Sequence, residues 1–219
     1  MKKTILIAGL LACIVALTGS YVLGVKTDEQ KDVSMYDLVS KDFFAGLSGD
    51  KSALERALKT CEGILAKEPN NAAAIAWQGG GWVCLSGFSF SAGDNRTGVD
   101  LWRRGFARLD QAAALAPTDI EVLITRGMAY AQCGLHSPHS TSANNYIEKG
   151  VKDLSSALDK IGREFATWPT DSRGQMLTTL ADGLQRLGRT DEACIYYKRI
   201  ATELPGTSYA EAANKQLQR

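Results

Sequence analysis

The chain has 219 residues, with 25 Lys+Arg against 24 Asp+Glu and a formal net charge of +1. That balance argues against a nucleic-acid binder, which gathers excess base on one face. The apolar share of 45% argues against a disordered tail.

Lys2 and Lys3 precede Ile5 to Gly24, twenty residues without a charge. At ~1.5 Å per residue a helix of that length spans the ~30 Å hydrocarbon core of a bilayer. Residues 1–24 are therefore read as a signal-anchor, or transmembrane, segment. Two alternatives stay open. Thr18-Gly19-Ser20 before Tyr21 offers a weak cleavage site, and Leu10-Leu11-Ala12-Cys13 has the outline of a lipoprotein box. The basic pair before the span, against mixed charges after it, orients the N-terminus to the cytoplasm. The rest of the chain is then expected on the extracytoplasmic, periplasmic side of a bacterial cytoplasmic membrane. Residues 25–33 are polar and read as a linker.

Residues 34–219 repeat themselves. Pro69 and Pro117, Gly79 and Gly127, and Trp82 and Tyr130 are each 48 apart. Twelve residues before Pro69, Pro117 and Pro205 stand Ala57, Gly105 and Ala193. Eight before stand Cys61, Leu109 and Tyr197; five before, Ile64, Ala112 and Ile200. A weaker copy runs Gly150, Leu154, Ala157, with Gly162 in the place of the proline. Offsets of four and three put these residues on one helix face. The small residue lets a neighbouring helix approach, and the proline stops the helix. Such self-similarity marks a solenoid of helix pairs. The spacing predicts helix pairs at 34–47 with 52–68, 72–86 with 98–116, 119–133 with 144–161 and 172–187 with 190–204. A closing helix is expected over 208–218. Asn70-Asn71, Thr118-Asp119 and Gly206-Thr207 supply cap chemistry, and Gly188 suits a left-handed C-cap.

These residues resemble the tetratricopeptide repeat family. The turn Leu187-Gly188-Arg189-Thr190-Asp191-Glu192-Ala193, Tyr197 and Leu204-Pro205-Gly206 match its second helix and its end. Gly79 with Trp82, and Gly127 with Tyr130, match the Gly and aromatic of its first helix. The resemblance implies an all-α fold: a right-handed superhelix of about four antiparallel helix pairs plus the closing helix. The period of 48 exceeds the family's ~34. The extra residues fall at 87–97 and 135–143, as long loops or helix extensions. In proteins similar to this, the first helix of each pair lines a concave groove for a peptide or partner helix. Carried onto this chain, the groove positions are Ala76, Gly80 and Val83, then Ile124, Met128 and Gln132, then Thr178, Asp182 and Gln185. They include no Lys or Arg, which argues against an acidic peptide as ligand.

Chemistry has few candidates. His136 and His139, three apart, lack a third metal ligand at a matching spacing. Cys61, Cys84, Cys133 and Cys194 form no CxxC motif and sit at apolar helical positions, which predicts buried, unpaired thiols. Gly79-Gly80-Gly81 inside a helix suggests close backbone packing, or a ligand approaching the backbone. Trp77, Trp82, Trp102 and Trp168 are read as core. No catalytic set, cofactor motif or metal site is recognised. The expected function is a non-catalytic, membrane-tethered protein–protein interaction module, a scaffold or accessory subunit of an envelope complex. The alternative is an exported solute- or lipid-binding module, its pocket walled by loops carrying Phe88 and Phe90.

Overall fold

The structure is a computed structural model that describes residues 34–218 apart from Pro138. All regular structure among the described residues is helical. The helices are α1 (Met35–Leu47), α2 (Lys51–Leu65), α3 (Ala72–Ser91), α4 (Asn95–Leu115), α5 (Ile120–His136), α6 (Thr141–Ile161), α7 (Thr170–Arg186), α8 (Thr190–Glu203) and α9 (Ser208–Leu217). A 3₁₀ turn, Gly162–Thr167, lies between α6 and α7. The segment 1–24 and the linker 25–33 lie outside the described residues. No helix among the described ones is long and apolar enough to cross a membrane.

Local chemistry sets the helix boundaries. Ser34, Asp50, Asn71, Asp94, Asp119, Ser140 and Thr207 each accept a hydrogen bond from the backbone N–H three residues on. Each thereby satisfies a donor that the first helical turn leaves free. At the end of α7, Gly188 has φ +77° and the Arg189 N–H reaches the Leu184 carbonyl at 2.9 Å. That is the left-handed termination expected of this glycine. Gly162, φ +56°, ends α6 in the place where the other repeats carry proline.

The helices pack as pairs: α1 with α2, α3 with α4, α5 with α6, and α7 with α8, with α9 against α8. The segments 87–97 and 135–143 are mostly helix extensions: α3 runs to Ser91 and α4 starts at Asn95, and α5 runs to His136 and α6 starts at Thr141. The long repeat is therefore absorbed by longer helices around short turns. Gly98 makes this possible on α4, because a methyl there would lie 2.6 Å from the Phe90 ring.

The apolar core forms three adjoining clusters along the stack. Val39, Leu54 and Cys61 belong to the first, Ile75, Leu109 and Val122 to the second, and Ile147, Leu154, Leu177 and Ile200 to the third. Each pair thus shares buried surface with its sequence neighbours, as stacked helix pairs do. The triple glycine lets α3 touch three neighbours at once. A methyl on Gly79 would meet the Gly105 carbonyl at 2.8 Å, one on Gly80 the Thr125 side chain at 3.1 Å, and one on Gly81 the Leu58 side chain at 2.6 Å. Close packing therefore accounts for all three. Phe165 of the 3₁₀ turn is 1% exposed and joins the third cluster, a core contribution absent from the helical pattern.

Candidate functional site

One large cavity, of about 850 Å³, opens on the described part of the molecule. Its wall comes chiefly from the first helix of each pair: Phe43 on α1, Val83 on α3, Ile124 and Met128 on α5, and Met176 on α7. Ser34 and Tyr36 also line it. Helical periodicity explains the convergence. Ile124 and Met128 stand one turn apart, pack against the core on one side, and remain only partly buried.

Aromatic rings make up much of the wall. Phe43 and Trp77 meet edge-to-face at 4.9 Å, and Tyr36 lies 6.2 Å from Trp77. Trp102 reaches the cavity from α4, its indole N–H directed at the Cys133 sulfur 3.5 Å away. Trp168 lines the far end. Of the four tryptophans read as core, Trp77, Trp102 and Trp168 thus line the cavity. Trp77 does both, being buried while one face borders the void. Trp82 lies under the Arg104 guanidinium at 4.4 Å.

Polar groups are few on this wall. Glu121 and His136 are its only residues with ionisable acid or base groups other than tyrosine and cysteine, and no Lys or Arg contributes. Glu121 sits in the first turn of α5 and accepts a hydrogen bond from the Trp77 indole N–H at 3.2 Å. Burial pushes its carboxyl above the ordinary range; the Trp77 hydrogen bond opposes this, and the nearby charges of Asp119 and Asp37 add to it. Gln132 donates to the Thr179 hydroxyl at 2.7 Å, tying α5 to α7.

Of the groove positions carried over from the family resemblance, Gly80, Val83, Ile124, Met128 and Gln132 line this one cavity. Ala76 is buried in the second core cluster. Thr178, Asp182 and Gln185 do not line it; α7 contributes Ser172, Gln175 and Met176 instead. Asp182 points to its pair partner α8, where the Tyr197 hydroxyl donates to it at 2.7 Å. Sequence reading missed the α1 wall, Glu121, and Trp102 on a second helix. The spacing held a partial signal for Glu121, which is one helical turn before Ile124.

Phe90 lines the cavity, whereas Phe88 packs against the first core cluster. Both lie on α3 rather than in a loop. His136 ends α5, with Nδ1 2.9 Å from the Gln132 carbonyl. Among the described residues no three His, Cys, Asp or Glu side chains converge to hold a metal ion. The four described cysteines are free. Only Cys61 is fully buried, with burial pushing its thiol up to about 12. Cys84, Cys133 and Cys194 are half-buried, which corrects the expectation of four buried thiols. Cys84 and Cys133 border the cavity, so this open space exposes them in part.

Away from the cavity, a polar network joins α4, α5 and α6. Arg126 donates to both oxygens of Asp153, at 2.6 and 2.7 Å. Lys149 donates to Asp110 at 2.6 Å and to the Tyr130 hydroxyl at 2.9 Å, and that hydroxyl donates to Asp110 at 2.9 Å. These groups satisfy one another, and the network fixes how the second and third pairs meet.

In comparisons with known proteins, no family model matches this chain and no curated protein is significantly similar to it.

Proposed function

We propose that this protein is a non-catalytic, membrane-tethered binding module that holds an apolar segment of another envelope protein in the cavity between its helix pairs. One observation carries the reading: the first helices of all four pairs contribute to a single apolar cavity of about 850 Å³. A preformed concave surface on rigid helices costs little ordering on binding. A helix laid in an apolar groove is a common recognition mode. Helix pairs with small residues recurring at the contacts support the tetratricopeptide-like reading and its right-handed superhelix. The uncharged run Ile5–Gly24 supports an anchor in the cytoplasmic membrane, with the helical domain outside. The anchor confines partners to the same membrane and raises their local concentration.

The test is co-purification from mild detergent. Ile124→Glu with Met128→Glu places two charges on the apolar wall, and should release partners while the helical circular dichroism signal stays unchanged. Partners that remain bound would refute the cavity as the site.

A second reading is a solute- or lipid-binding module. The volume and the aromatic wall favour it, because small-molecule sites are apolar cavities of roughly 300–1,000 Å³. Native mass spectrometry separates the two: a retained small molecule favours this second reading.

A further inference from the structure

The cavity wall is apolar over most of its length but not electrically neutral throughout. Glu121 is its one carboxylate, and no Lys or Arg balances it there. The carboxylate is half-buried and oriented by the Trp77 indole N–H. Exposed Asp37 and Asp119 stand close enough for their charges to act on it. The rings of Tyr36, Phe43 and Trp77 gather at the same end. A carboxylate beside aromatic rings attracts a cation through its charge, and the low polarity around it strengthens that attraction.

Building on the proposed function, we infer that the partner segment bound in this cavity is apolar and carries one Lys or Arg side chain, which pairs with Glu121 at the α1–α5 end. An acidic segment would bring its charge to Glu121 without a compensating base. A wholly neutral one would leave the carboxylate facing apolar surface, which costs free energy. The raised proton affinity of Glu121 fits a group that lacks its cation in the unbound protein.

Two peptides test this against the full chain held in nanodiscs of zwitterionic lipid. Both are acetylated and amidated helical sequences of Leu, Ala and Gln, about 16 residues long. One carries a single central Lys, and the other has Gln in its place. Tryptophan fluorescence reads binding, because Trp77, Trp102 and Trp168 line the cavity. The Lys peptide should bind about tenfold more tightly, as a well-formed partly buried charge pair permits. Glu121→Gln, which keeps an acceptor for Trp77, should abolish that difference, weakening the Lys peptide and binding the Gln peptide at least as tightly as the parent does. Glu121→Lys should turn the preference toward a third peptide carrying Glu. Equal binding of the Lys and Gln peptides would overturn the charge pairing and leave the apolar groove intact. Binding of dodecyltrimethylammonium without binding of either peptide would overturn the protein segment as occupant. Loss of the proposed function itself is read separately, by the co-purification of the Ile124 and Met128 variant.

Discussion

Gly79 on α3 and Gly105 on α4 face each other across the second helix pair: a methyl group on either would lie 2.8 Å from the carbonyl oxygen of the other. The third pair repeats this contact, since a methyl on Gly150 would lie 2.6 Å from the Gly127 carbonyl. The backbones meet there with no room for a side chain.

Gly105→Ala should therefore destabilise the protein, although alanine favours a helix by about 1 kcal/mol. Its methyl would also lie 2.7 Å from Val83 Cγ2 and 2.9 Å from the Val83 nitrogen. Overpacking of this kind costs about 1–3 kcal/mol. Gly63→Ala on α2 is the contrast: nothing lies within 4 Å of the added methyl, so it should stabilise by about 0.5–1 kcal/mol. Urea unfolding of both variants checks the pair. The same sign for both would refute the close-approach account.

Arg126→Ala should cost about 3–5 kcal/mol, the usual range when one partner of a buried pair is removed. The Asp153 side chain is 5% exposed and that of Arg126 18%, so the carboxylate would be left buried without its main donor. Replacing both, as Arg126→Met with Asp153→Leu, should recover most of the loss, because no charge then remains unpaired. A double variant as unstable as Arg126→Ala would argue against this.

Stability should also depend on pH through Glu121 and Asp182. Burial raises both carboxyls above their ordinary values of 4.5 and 3.8. A folded-state pKa above the unfolded one means that the native state holds the proton more tightly. The resulting stabilisation is complete below the unfolded values and is lost as pH rises through the folded ones. Glu121→Gln and Asp182→Asn keep acceptors for Trp77 and Tyr197 but remove the titration. Their stability relative to the parent should rise from about pH 4 toward neutrality. A difference that stays flat over that window would contradict the assigned cause.

Thiol labelling should divide the cysteines. Burial pushes the Cys61 thiol up to about 12, which keeps the reactive thiolate scarce near neutral pH. In a Cys13→Ser background, half-buried Cys84, Cys133 and Cys194 should react in the native state and Cys61 only on unfolding. Native labelling of Cys61 at the rate of the others would refute its burial.

Local chemistry made the helices legible in the sequence. Asn71, Asp119 and Thr207 cap their helices as their side chains dictate, Gly188 terminates α7, and Ala57, Gly105 and Ala193 recur where the second helix of a pair meets the first. Each depends on residues a few positions apart, which the helical period places on one face. The segments 87–97 and 135–143 were ambiguous because glycines and short polar residues suit loops as well as helix ends. Tertiary packing resolved the first of them, with Phe90 lying over Gly98.

The cavity depended on contacts the period does not encode. Spacing identifies an apolar face but not whether that face meets a neighbour or borders a void. Ala76 and Gly80 share one face of α3 and both are buried, yet only Gly80 lines the cavity. On α7 the expected groove position Asp182 turns instead toward Tyr197, and Ser172, Gln175 and Met176 form the wall. Glu121 gained its setting only when Tyr36, Trp77 and α5, distant in sequence, came together. Burial and charge at that point arise from how the pairs stack, and stacking is decided by side-chain volumes across helices rather than along any one of them.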